Sequence, residues 1–375
     1  MTEQQAFRPG LDGVIASATN ISYLDVDHEQ IVIRGYDLIE LARTVRYVDV
    51  VGLLLDGKLP DKEEADKLED DLRAAGELPE AVLQLLQLET NHYNAMDMLR
   101  TGISSLAGFE EELDDRSREA NRRKTIRLLA KIPSIIAGGY RIQSGQPLIM
   151  PDRNLSYSAN FLYMLTGKVP NEHQERAFDQ SLIVYSEHEM PNSTFVARVI
   201  ASTQADLYGA VTGAVASLKG TLHGGANEAV MKMLLEAQTI DKLEPLLLGK
   251  LANKERIMGF GHRVYMKKMD PRAMLMKEAL HSLSELGGND ELYRMCDLGE
   301  RIMHREKGLY PNLDYYAAPV YYLLGIPIDL YTPIFLAART AGLGAHVIEQ
   351  HENNRLFRPR VHYMGPRGLT PKSGI

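Results

Sequence analysis

The period of the apolar pattern changes once along this chain. From Leu11 to Gly35 the apolar residues come in short pieces, Val14-Ile15, Ile21-Ser22-Tyr23-Leu24 and Ile31-Val32-Ile33, parted by Asp, Asn and Gly. Such pieces predict small β-hairpins. From Tyr36 onward the period lengthens. Leu38, Leu41, Val45, Val48 and Val51 to Leu55 recur three and four residues apart, the signature of a helical stripe. Pro60 opens the next helix, whose first turn carries Asp61, Glu63 and Glu64 against the positive end of the helix dipole. The acidic run that continues to Asp71 reads as a solvated face.

Further helices are predicted from Pro79 to Leu88, Ala95 to Leu106, Arg116 to Tyr140 with an interruption near Pro133, and Ser158 to Leu165. The stretch from Ser193 to Lys219 reads as one long helix of small residues, among them Ala197, Ala201, Ala205, Gly209, Ala210, Gly213 and Ala214. So little bulk lets a second helix approach closely, and the stretch is read as the face of a subunit interface, with a buried core helix as the alternative. The chain as a whole reads as mainly α-helical, with about twenty helices at the usual mean length. Residues 220–321 are read as a small helical domain, inserted between residues 1–219 and 322–375 of a larger one. From Arg358 onward Pro359, Pro366 and Pro371 predict an extended arm.

A length of 375 residues allows two domains. With 45% hydrophobic and 25% charged residues the chain is of globular composition. Its net charge of −8 argues against a general grip on nucleic acid. The single cysteine, Cys296, offers neither a disulfide framework nor a cysteine metal site. Neither a signal peptide nor an apolar run long enough for a membrane span is apparent, so the expected setting is cytoplasmic.

The candidate chemistry gathers between Gly220 and Asp314. His223 stands in Leu222-His223-Gly224-Gly225-Ala226-Asn227, directly before the helix-forming run Ala226 to Ala237. A histidine there feels positive potential, which favours neutral imidazole, a donor suited to a carbonyl that is becoming an enol. His262 lies in Gly259-Phe260-Gly261-His262-Arg263-Val264-Tyr265, followed by Lys267, Lys268 and Arg272, a cluster suited to anionic and phosphate-bearing substrates. Asp314 follows Pro311-Asn312-Leu313 as a carboxylate in a turn before the helical run Tyr315 to Leu324. Each histidine taken alone could equally be a capping or core residue. Arg339 sits among Ala337, Ala338, Ala341 and Gly342, where a guanidinium has little reason to be unless it meets an anion. Arg272, Arg339 and Arg358 together point to a dicarboxylate, which arginine binds as a bidentate fork. His188 closes the preceding helix within Ser186-Glu187-His188-Glu189.

These motifs resemble the citrate synthase family over nearly the whole chain, from about Leu11 to Pro366. The resemblance rests on residues 222–227 and 259–265, on Asp270-Pro271-Arg272, on residues 311–314, on Arg34-Gly35-Tyr36 and on the block around His188. Tyr315-Tyr316-Ala317-Ala318-Pro319 and Ile326-Pro327 are most similar to bacterial 2-methylcitrate synthases. The resemblance implies a two-domain helical fold with a small N-terminal β portion and a homodimer that condenses an acyl-CoA with oxaloacetate. It further implies Asp314 as the base, His223 as the group that stabilises the enol, and His262 as the one that polarises the oxaloacetate carbonyl. His188, Arg272, Arg339 and Arg358 match oxaloacetate ligands, with Arg358 reaching the partner's site. Arg263, Lys267 and Lys268 are candidates for contacting coenzyme A. No metal and no tightly bound cofactor are implied; the coenzyme A thioester is a substrate. The chain departs from the family pattern at Asn94-Ala95-Met96-Asp97, where relatives carry His-Pro-Met-Asp and this chain has His92 two residues earlier, and in one extra residue between His262 and Arg272. A metal-dependent hydrolase using His188, Glu189, His223 and His262 is the alternative of another reaction class.

Overall fold

The computed structural model describes residues 7–25, 28, 30–88, 94–261 and 268–370. Strands β1 (Ser22–Asp25), β2 (Gln30–Ile33) and β3 (Tyr36–Asp37) form an antiparallel meander in that order. Alternation buries Ser22 and Leu24 on β1, and Ile31 and Ile33 on β2. Val14 and Ile15, expected in a strand, are instead exposed in an irregular segment, and the third strand is the short Tyr36-Asp37. Asp37 ends the sheet and caps the first helix by accepting from the backbone of Ile39 and Glu40.

The described residues contain sixteen α-helices rather than about twenty. The first ten are α1 (Leu38–Thr44), α2 (Tyr47–Asp56), α3 (Lys62–Ala75), α4 (Glu80–Leu88), α5 (Ala95–Leu106), α6 (Arg118–Gln143), α7 (Tyr157–Thr166), α8 (Glu172–Ser186), α9 (Asn192–Ala201) and α10 (Leu207–Leu218). They are followed by α11 (Ala226–Ala237), α12 (Ile240–Ala252), α13 (Pro271–Leu286), α14 (Glu291–Lys307), α15 (Leu313–Leu323) and α16 (Tyr331–Glu352). The shortfall arises because several helices run well beyond the mean length, notably α6 and α16. Helix α16 is buried along most of its length and packs on α2, α6, α8, α9 and α10. Helices α11 to α15 pack largely on one another, while α13 and α15 also reach α8 and α11 reaches α16.

Three further expectations need correction. Helix α6 runs without interruption through Pro133. Proline removes an N–H and frees the carbonyl four residues back, here that of Leu129. The Tyr157 hydroxyl donates to that carbonyl at 3.0 Å, so the helix keeps its partner from outside. The stretch from Ser193 to Lys219 is two helices, not one. The chain turns at 202–206, with Gln204 at a φ of 65°, and Asp206 caps α10 through the Gly209 N–H. A Cβ on Gly213 would come within 2.2 Å of Ile200, so α10 uses its lack of bulk to receive α9 of the same chain. Finally, the acidic face of α3 is not wholly solvated. Glu69 is buried, accepts from the Tyr157 backbone at 2.7 Å and pairs with Arg46.

No helix of the described residues is long and apolar enough to cross a membrane. From 353 to 370 the chain is irregular and, Phe357 apart, exposed.

Candidate active site

The site begins with the small sheet. Ser22 on β1 donates from its hydroxyl to Glu187 at 2.8 Å and accepts the Glu189 N–H at 3.0 Å. It thereby ties down both residues flanking His188, which lies half-buried two residues past the end of α8. Glu187 is wholly buried and lies 3.1 Å from His346 Nε2. Burial opposes its charge, but His346, Arg339 and Ser22 together hold its carboxyl below the ordinary range.

Arg339 extends from α16 with 2% of its surface exposed. Its Nε donates to the Tyr185 carbonyl at 2.6 Å, and its guanidinium lies 4.9 Å from the Phe335 ring centre. Its Nη1 is buried without a hydrogen-bond partner among the described residues. Burial pulls the guanidinium down to about 10, against the nearby Glu187, which leaves it charged at neutral pH. Arg272 stands in the first turn of α13 and forms a bidentate pair with Asp270, at 3.0 and 2.7 Å. Asp270 also caps that helix.

Asp314 lies in the first turn of α15 rather than in a turn before it. Asn312 caps this helix and, through its side-chain amide, donates to the Gly261 carbonyl at 3.0 Å. The backbone of Asn312 donates to Gly259 and that of Gly261 to Tyr310, both at 2.9 Å. This clasp joins the glycine-bearing motif at 259–261 to Pro311-Asn312-Leu313-Asp314, some fifty residues later in the sequence. Gly259 sits at a φ of 89°, and a Cβ there would lie 2.6 Å from Val230, so no other residue fits. Asp314 Oδ1 accepts from the Tyr185 hydroxyl at 2.6 Å. Burial raises the Asp314 carboxyl, while Tyr185, Arg272 and Arg339 pull it back.

His223 occupies the turn between α10 and α11. Its Nε2 accepts the Ser193 N–H at 3.1 Å and lies 2.9 Å from Ser193 Oγ. A nitrogen that accepts an N–H carries the lone pair, so the ring proton is on Nδ1. Burial, reinforced by Arg339, lowers this imidazole to about 4, against a backbone hydrogen bond that favours the charged form. At neutral pH His223 is therefore an uncharged donor through Nδ1.

One cluster thus brings together His223, Asp314, Arg272 and Arg339, with the His188 loop at its edge. His262, Arg263 and Lys267 lie outside the described residues, although Gly261 is fixed beside Asn312. Lys268 is exposed. Arg358 is exposed beyond Phe357 and makes no hydrogen bond or ion pair with the described residues of the cluster. Asn94 accounts for one departure from the family pattern: its side chain caps α5 by accepting the Asp97 N–H at 2.8 Å. His92 lies outside the described residues. Among the described residues no three His, Cys, Asp or Glu side chains converge as a metal site would require. Sequence reasoning passed over Tyr185 and Ser193, which hold Asp314 and His223.

The chain matches the family described as citrate synthase, C-terminal domain, over residues 10–360. It is 63% identical to the citrate/2-methylcitrate synthase of Bacillus subtilis (strain 168), over 99% of this chain and 100% of that protein. Its fold superposes on the crystal structure of citrate synthase from Pyrobaculum aerophilum with a TM-score of 0.90 at 35% identity, over 96% of this chain and 93% of the other. A TM-score of 0.90 at 30% identity is found for the Thermoplasma acidophilum citrate synthase in ternary complex with carboxymethyl coenzyme A and oxaloacetate, over 97% of this chain and 98% of that one. The chain belongs to the citrate synthase family.

Proposed function

We propose that this chain condenses a short acyl-CoA, propionyl-CoA or acetyl-CoA, with oxaloacetate and releases free coenzyme A, giving 2-methylcitrate or citrate. The observation that carries this reading is the pairing of a carboxylate, Asp314, with an imidazole held neutral, His223, beside two buried guanidiniums. Asp314 removes the α-proton of the thioester. That proton is more than about ten pKa units less acidic than a carboxylic acid, a gap above about 14 kcal/mol. The raised Asp314 carboxyl narrows the gap but does not close it. His223 Nδ1–H donates to the enol oxygen as it forms, and a prealigned donor of this kind contributes several kcal/mol. Arg339, whose Nη1 has a donor to offer, and Arg272 bind the oxaloacetate carboxylates together with His188. His262 polarises the acceptor carbonyl, and Arg263, Lys267 and Lys268 face the coenzyme A phosphates.

In this reading residues 220–321 act as a small domain that closes on the large one. Oxaloacetate bridges the two, excludes water and completes the acyl-CoA site. The enzyme is a cytoplasmic homodimer, and Arg358 enters the partner's site. The mixture of acyl-CoA and oxaloacetate without added metal tests the activity through the appearance of free thiol; no thiol release from folded protein refutes it. The ratio of kcat/KM for propionyl-CoA to that for acetyl-CoA gives the acyl preference, which one methylene sets at about 1–3 kcal/mol. For Arg358, co-refolding a variant lacking it with a variant lacking Asp314 restores about a quarter of wild-type activity if it acts across a two-fold dimer, and none if it serves its own chain.

A further inference from the structure

The buried phenol of Tyr185 is the direct partner of the carboxylate assigned as base, and the assigned mechanism gives it no part. Tyr185, the last residue but one of α8, has 1% of its surface exposed, and its ring lies 4.7 Å from that of Phe335 on α16. Its hydroxyl holds Asp314 Oδ1 at 2.6 Å, while its own peptide carbonyl accepts from Arg339 Nε, also at 2.6 Å. One residue therefore touches both the base and an arginine that meets the anion.

We propose that Tyr185 is a positioning residue for the condensation: its phenol fixes Oδ1 of Asp314, so that Oδ2 is the oxygen presented to the substrate proton. The inference rests on Asp314 being the base. Burial and the neighbouring carboxylate push the Tyr185 phenol well above its ordinary value, so it stays a donor throughout and never a proton shuttle. Its donation also favours the ionised carboxylate that a base requires.

Among the described residues, the other groups facing Asp314 are few. Arg272 and Asp270 come from the start of α13, Arg339 from α16, and Tyr321 from α15 itself. Helix α14 directs Cys296 and Glu300 to Tyr315 and Tyr316, and α11 directs Glu228 to Thr332. With the phenol removed, the groups among the described residues that oppose the rise burial imposes on Asp314 are the two arginines.

The test is the pH profile of kcat/KM for Tyr185→Phe, which keeps the ring against Phe335. The acid limb moves up by about one to two units, the shift matching a lost hydrogen bond to a charged group. Oxaloacetate affinity by calorimetry stays unchanged, because the link to Arg339 runs through the backbone. A loss of activity that is equal at every pH marks a merely structural role and overturns the proposal, as does an unmoved limb. Site-specific 3-fluorotyrosine at position 185 keeps the shape and strengthens the donor, so its limb moves down; this variant decides the matter should Tyr185→Phe not fold. Near-normal turnover in folded Asp314→Asn refutes the assignment of the base itself, whereas an inactive Asp314→Asn beside an unmoved Tyr185 limb refutes only the role of the phenol.

Discussion

Among the buried cationic side chains of the described residues, Lys124 and Arg339 are treated in opposite ways by their surroundings. Lys124 on α6 is fully buried, and its ammonium donates to the carbonyls of Glu112, Leu113 and Asp115. All three of its protons are used to hold the loop before α6. Arg339 on α16 is equally enclosed but spends one N–H on Tyr185, rests on an aromatic face and leaves Nη1 without a partner. Burial lowers both groups. A buried donor left unmade costs about 1–3 kcal/mol, more on a charged group, so a fold retains one only where something else completes it. Lys124 is finished by its own chain; Arg339, proposed above to bind an anion, is left unfinished.

The sharpest way to separate working from supporting residues starts beside Arg339. Asp314→Asn should lower kcat by about 10³-fold while leaving the melting temperature near wild type, since positioned acid–base groups contribute about 10²–10⁴. Steady-state kinetics and a thermal melt on one preparation check both halves. Next comes Arg339→Met. Its kcat/KM for oxaloacetate should fall about 100-fold, yet its stability should hold or rise, because an apolar chain replaces an incompletely paired buried charge. Lys124→Met is the mirror image: three carbonyls lose their donor, unfolding in urea should show a loss of about 2–3 kcal/mol, and kcat/KM should stay within about twofold. Were Arg339→Met to melt early and Lys124→Met to lose activity, the contrast would be reversed.

The smallest effect concerns pH. His223 falls from an ordinary 6.5 to about 4 in the folded protein. Between those values the unfolded chain binds the proton and the folded one does not. Its contribution to stability is thus intact above about pH 6.5, declines as pH falls, and is fully lost below about pH 4. His223→Gln cannot titrate, so its melting temperature should fall less steeply than wild type across that window. Parallel slopes would mean that His223 is not buried as a neutral base.

What the sequence disclosed, and what it hid, follows from the distance over which each feature is decided. Arg339 was legible because a guanidinium among alanines and glycines has no local purpose. His223, Asp314 and the glycines near them were legible because turns and caps are local. Tyr185 was not, since Ile183-Val184-Tyr185-Ser186 reads as an apolar run and the carboxylate it serves lies 129 residues away. Its one signal was its place directly before Ser186 and the Glu-His-Glu block. The break between α9 and α10 was hidden by small residues that recur on both sides of it, although Asp206 preceding Leu207 carried a capping signal. Glu69 looked like one more surface acid because its partners, Arg46 and the Tyr157 backbone, come from other elements. The fold class needed only periodicity; the exceptions needed tertiary contacts.

The hydroxyl that Tyr157 lends to Leu129 also constrains how this sequence can change over time. While Pro133 is present, loss of the hydroxyl strands a carbonyl inside α6 at a cost of about 1–3 kcal/mol. If Pro133 first becomes alanine, the helix regains its own donor and the hydroxyl turns dispensable. The two substitutions are thus tolerated in one order and penalised in the other. A lineage holding Pro133 must keep Tyr157, whereas one that has lost the proline is free to carry phenylalanine, a history that a double-mutant cycle on this protein can replay.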